Sequence, residues 1–184
     1  MLEELIKKTT DSVVASLKGA DNIYDTMIEI VRGNVVDLFK GTGDIASAGA
    51  GAASGIVASL IKGIVEVGGE TGEAAKKVVM GTLKGANETG KDAAGMIKDS
   101  VRGAIKGTNE VGGDIGEAAV GAVQGAVQAA GEIGVSAEEA LQKASSGAIE
   151  SAGEIGEDAV ETVKKALEAS VEGAKDVISS PFKK

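Results

Sequence analysis

The chain has 184 residues, 28 of them glycine, with one proline, no cysteine, no histidine and a net charge of −9. These numbers exclude a disulfide framework, thiolate or imidazole metal sites, and Cys- or His-activated nucleophiles. An acidic balance is poorly suited to nucleic-acid phosphates or strongly anionic membranes, and 43% hydrophobic residues with a mean hydropathy of +0.10 argue against intrinsic disorder.

Residues 1–21 read as an amphipathic helix with Leu2, Leu5, Ile6, Val13, Val14 and Leu17 on one side. The opening MLEELIKKTT lacks an apolar h-region, so no secretory signal is expected. Residues 22–43 are the most apolar copy of the pattern, with Tyr24, Met27, Val31, Val35, Leu38 and Phe39. They are expected to form core or the main docking surface. Together, residues 1–43 are expected to be a more hydrophobic N-terminal helical segment. Gly41-Thr42-Gly43-Asp44 reads as a break, with Asp44 able to cap the next helix.

A regular array is expected over 44–178. Its longest uncharged run, Ile45 to Ile61, has 17 residues, of which 12 are Ala, Gly or Ser. That is shorter than the ~20 apolar residues a spanning helix needs, so no transmembrane span is expected. Gly-Gly at 68–69 and 112–113 can serve as turns. Ser136 reads as an N-cap with Glu139 as the capping-box acid. Pro181 stops the last helix, and 179–184 is a short tail in which Phe182 precedes Lys183 and Lys184, a frayed end or a docking hook.

The organising feature is a 22-residue repeat. Asp44, Glu66, Glu88, Glu110, Glu132, Glu154 and Asp176 form one column of the period, and glycine follows two places after five of these acids. A second column is large and apolar (Leu17, Phe39, Ile61, Leu83, Ile105, Val127, Ile149, Val171), and a third is valine from Val13 to Val123, then Ser145 and Leu167. A fourth is small: Gly19, Gly41, Gly63, Gly85, Gly107, Ala129, Ser151 and Gly173. Such self-similarity marks a repeat architecture. Twice 11 residues is six helical turns at about 3.67 residues per turn, which gives each helix an apolar arc over roughly half its surface. The i,i+4 pairs Glu73–Lys77, Glu139–Lys143, Glu161–Lys165, Lys62–Glu66, Lys84–Glu88 and Lys106–Glu110 suit a solvated helix face.

The fold class is therefore all-α: amphipathic Gly/Ala/Val-rich helices closely packed as an extended bundle or helical array. The uninterrupted register fits both long helices with a few glycine hinges and a solenoid of helices about 18 residues long; the long-helix form is the expected one. Glycine costs about 1 kcal/mol against alanine inside a helix, so close packing must offset it. The small-xxx-small spacing that permits such packing occurs at Gly68/Gly72, Gly81/Gly85, Gly103/Gly107, Gly112/Gly116 and Gly121/Gly125. With Val79, Val101, Val123, Leu83, Ile105, Val127 and Ile149, these glycines are the expected helix-packing interface, within the chain or between chains.

Chemical motifs are weak. Gly85-Ala-Asn-Glu-Thr-Gly90-Lys91-Asp92 nearly spells a phosphate loop, but it ends in Asp where Ser or Thr must hold magnesium, and no strand precedes it. The repeated acids lie among lysines without EF-hand spacing. No catalytic, metal or cofactor site is expected, and the chain is expected not to be an enzyme. Thr71-Gly-Glu-Ala-Ala-Lys-Lys-Val78 and the stretch from Glu88 to Val101 resemble group 3 late-embryogenesis-abundant repeats. The period is similar to that of synucleins and perilipins, and the composition resembles phasins. These resemblances imply coating of surfaces, membrane protection or granule binding. The expected function is thus a structural repeat protein that self-associates through its small-residue face into a bundle, sheet or filament. A peripheral coat on lipid, a granule or another apolar surface is the alternative. The expected setting is cytoplasmic, with possible attachment to a membrane or inclusion surface.

Overall fold

The structure is a computed structural model that describes residues 2–19, 22–41 and 49–179. Asp44 and the tail residues Pro181, Phe182, Lys183 and Lys184 lie outside these ranges. The described residues form nine α-helices: α1 (Leu2–Lys18), α2 (Ile23–Gly41), α3 (Gly49–Glu66), α4 (Thr71–Glu88), α5 (Ala93–Glu110), α6 (Ile115–Ala129), α7 (Ala137–Ile155), α8 (Glu157–Ser170) and α9 (Ala174–Ser179). The array is all-α and closely packed, as the repeat implies. The helices are short, however: none is longer than 19 residues. From α3 to α7 the chain turns at every 22-residue period, so the solenoid form replaces long helices with occasional hinges.

The acid-x-glycine column explains the turns. Glu66, Glu88 and Glu110 are each the last residue of a helix and Glu132 lies just beyond one, and the glycine two places on adopts a positive φ: 93° at Gly68, 74° at Gly90, 69° at Gly112 and 75° at Gly134. At Gly90 the N–H bonds Asn87 O (3.1 Å), and the following Lys91 N–H bonds Ala86 O (3.0 Å). This is the paired closure that ends a helix when a residue takes the left-handed conformation, and only glycine does so without strain. Side chains then restart the helix. Asp92 accepts from the Gly95 N–H, Asp114 from the Gly116 and Glu117 N–H groups, and Ser136 from the Glu139 N–H. Capping of this kind contributes about 1 kcal/mol. Asp114→Ala is expected to cost about that much in urea unfolding, with Asp114→Asn near neutral.

Helices α1 and α2, and successive helices from α3 to α8, pack as antiparallel neighbours, and each helix from α3 onward also stacks beside the helix two places earlier. Helices α1, α3, α5 and α7 make one layer; α2, α4, α6 and α8 make the other. A single apolar core runs between the layers from Ile6 to Ala174. Its largest sealed side chains include Leu17, Met27, Ile56, Leu60, Leu83, Ile97, Ile105 and Leu167. The apolar residues of α2 belong to this core: Met27, Val31, Val35, Leu38 and Phe39 are buried. Tyr24 is half-buried, and its hydroxyl accepts from the Glu70 N–H at 2.6 Å. Among the described residues, no helix is long and apolar enough to cross a membrane.

Candidate functional site

The stacking of each helix on the helix two before it is where the small residues act. A methyl group built on Gly107 would lie 2.5 Å from the Ala58 carbonyl oxygen, and one on Gly147 would lie 2.5 Å from that of Lys98. Methyl groups on Gly103, Gly121 and Gly125 would overlap the carbonyl oxygens of Ser54, Gly72 and Lys76. All five contacts span 49 positions, one two-helix repeat plus about a turn and a half, so the stacked helices run parallel in a constant register. Such an approach brings Cα–H groups onto carbonyls and increases dispersion contact along the backbone.

The α5–α7 contact shows the register most fully. Three carbonyls of α5, one turn apart, meet three residues of α7. Lys143 Nζ donates to Ala94 O (3.4 Å), Gly147 lies against Lys98 O, and Ser151 Oγ donates to Arg102 O (3.3 Å). In the first repeats the landing surface is made of side chains as well. Gly81 and Gly85 lie over Val31, Val35 and the Ile28 and Arg32 carbonyls, and Gly63 over Val14 and Thr10.

The other expected interface residues fall into three groups. Val79, Val101, Val123, Leu83 and Ile105 are fully buried, while Val127 and Ile149 are half-buried against the same core. Gly72 and Gly116 make looser contacts, with Glu117 O at 3.4 Å and the Ala166 methyl at 3.3 Å from a built Cβ. Gly68 and Gly112 are not in the packing face. They have nothing within 4 Å and carry the positive φ of helix termination, so their four-residue spacing from Gly72 and Gly116 crosses a turn. Gly63, Gly147 and Ser151 belong to the face although no Gly-xxx-Gly pair marks them. The usable signal is the 22-residue spacing itself, which places Gly147 in one column with Gly81, Gly103 and Gly125.

Charges follow the same stacking. Lys62 pairs with Glu110 (2.7 Å), Lys84 with Glu132 (2.9 Å), Lys98 with Glu150 (2.6 Å), Arg32 with Glu88 (2.6 Å), and Arg102 with Glu154. Thus Lys62 and Lys84 pair across helices rather than with Glu66 and Glu88 on their own helices. An acid at a helix C-terminus opposes the macrodipole; here that position carries it across to a cation on the helix stacked beside it. The within-helix pairs Glu139–Lys143 and Glu161–Lys165 do form. The hydrogen bond from Lys165 holds the Glu161 carboxyl below its ordinary range. These groups are largely exposed, and pairs of this kind contribute little to stability.

The near-phosphate-loop sequence lies across a helix boundary. Gly85 is inside α4, Gly90 ends it, and Asp92 caps α5. One polar feature is unexplained by packing. The hydroxyls of Thr82, Ser100, Thr108 and Ser145 are sealed in the core and have no hydrogen-bond partner among the described residues. Ser145 interrupts the valine column. Ser145→Ala removes an unsatisfied group and gains helix propensity, so thermal unfolding is expected to shift upward by the equivalent of about 1 kcal/mol.

No protein-family model matches the chain, and no curated protein is significantly similar to it in sequence. Among solved structures it is similar to the crystal structure of the de novo designed helical repeat protein DHR7, with 18% sequence identity, a TM-score of 0.60, and 95% of each chain covered. The likeness establishes the fold: a helical repeat.

Proposed function

We propose that the chain is a non-enzymatic structural repeat protein that self-associates end to end by continuing its own stack, a cysteine-free building element suited to the cytoplasm. The observation that carries this reading is the register. From α3 to α7, small residues at two columns lie against the helix two places earlier. In α1 and α2 the same columns hold Asp37 and the small residues Ala15, Gly19 and Gly41, and α2 adds the small residue Gly33. All four small residues are exposed, and nothing lies within 4 Å of a Cβ built on Gly33 or Gly41. Extending the 49-position register sets Ala15 and Gly19 of one copy over the Gln142 and Ser146 carbonyls on α7 of the next. The end faces are polar around these small residues, so the association is weak and calls for high concentration.

Sedimentation of the full chain from about 1 to several hundred µM tests this; such weak assembly is expected to give a mass that rises with concentration. The double variant Ala15→Arg/Gly33→Arg is expected to stay monomeric with unchanged helicity, since both sites are open. A wild-type mass that stays monomeric throughout would overturn the reading, as would a variant that assembles like the parent. The coat reading requires the array to open, because its half-apolar arcs are folded into the core. Vesicle binding accompanied by loss of tertiary structure is the result that would favour it.

A further inference from the structure

We infer that the groove between α6, α7 and α9 docks a basic amphipathic segment of a partner protein. The groove has a volume of about 570 Å³, and its apolar floor is Val127, Leu141, Val171 and Val177. All four are half-buried. One two-helix repeat earlier, three of the four corresponding positions are closed: Leu83 and Ile97, in the places of Val127 and Leu141, are fully buried, and Ile133, in the place of Val177, is 8% exposed, while Val127, in the place of Val171, is half-buried in both roles. The difference has a visible origin. Ala129, buried in the interior copy, is replaced by Gly173, and bulky Ile133 by the smaller Val177. The last turn of the array thus leaves open an apolar slot that the same columns fill elsewhere.

The rim identifies the chemistry of the occupant. Glu138, Glu172 and Asp176 line the groove, and among the described residues no lysine or arginine does. None of the three takes part in the ion pairs formed among the described residues, in contrast to Glu110, Glu132, Glu150 and Glu154. The surrounding segment, residues 111–184, holds 13 acidic and 6 basic groups. An apolar slot edged by carboxylates that no described residue pairs is complementary to a segment that carries aliphatic or aromatic anchors on one face and Lys or Arg on its borders. This inference does not rest on end-to-end assembly, which uses the outer faces of α1, α2 and α7, although Glu138 of the groove lies one turn before Gln142 on α7.

Fluorescence anisotropy with the full chain and a labelled Leu/Lys amphipathic peptide tests it. The peptide is expected to bind, and a Ser/Lys peptide of equal charge to bind at least about tenfold more weakly. Glu138→Gln/Glu172→Gln/Asp176→Asn is expected to weaken binding about tenfold. Glu3→Gln/Glu4→Gln/Asp11→Asn, which removes the same charge at the other end, is expected to leave it unchanged. Val177→Ser is expected to weaken binding without altering charge. Equal binding of the two peptides, or equal loss in the two triple variants, would overturn the inference in favour of general electrostatic attraction. Markedly tighter binding by a chain ending at Ser179 would overturn it in favour of the chain's own residues 180–184 as occupant.

Discussion

Gly121→Ala is expected to lose about 2 kcal/mol in urea unfolding, although alanine is the better helix former by about 1 kcal/mol. The added methyl overlaps the carbonyl oxygen of Gly72 on the stacked helix. The obstacle is backbone, so no rotamer change relieves it, and α4 and α6 must move apart. Separation then loses contacts along their whole length, including those of Gly125 with Lys76. Gly51→Ala is the matched control. Gly51 is inside α3, and a Cβ there meets nothing within 4 Å. It is expected to gain about 1 kcal/mol. Opposite signs for one chemical change at two helical glycines distinguish packing from propensity; equal signs would remove the packing account of the glycine content.

Leu83→Ala is expected to cost about 3–4 kcal/mol, within the usual range for a sealed leucine. Leu83 is 0% exposed and lies in α4, with neighbours stacked on both sides. Val127→Ala, in the same column but half-buried near the end of the array, is expected to cost about 1 kcal/mol. Stability in a repeat array is close to a sum of repeat and neighbour terms. Losing a central unit is therefore expected to broaden the Leu83→Ala transition and lower its apparent m-value, as the two flanks begin to unfold separately. A sharp transition of unchanged slope would show that the array unfolds as one unit.

The period, the apolar columns and the helical class were legible because each is a local statement about one helix. Glycine at column positions has no local benefit and points to a close neighbour; Gly103, Gly107, Gly121 and Gly125 do lie against carbonyls of the stacked helix, whereas Gly68 and Gly112 end helices. Two things were less legible. The 22-residue register is kept equally by a continuous helix and by a turn at each period, and the deciding detail is the conformation of single residues such as Gly90 and Gly112. Gly112 reads in sequence as a packing glycine as readily as a turn, and Gly90 only as a member of its column. The partner of each face was also hidden, because Gly147 meets Lys98 across 49 positions that no local spacing rule connects. The ion pairs failed to read for the same reason: Lys62 has Glu66 one turn away, yet bonds Glu110 on the helix stacked beside its own.

The central claim is that the glycine-rich helices are stabilised by stacking within one chain, so that helicity does not depend on assembly. Circular dichroism and sedimentation on the same samples, diluted from several hundred to about 1 µM, test it most directly, since weak assembly is lost over that range. The expected result is a high helical signal that stays constant while the mass falls to that of a single chain. Helicity that falls in step with the mass would contradict the account, because the small-residue faces would then be packing between chains.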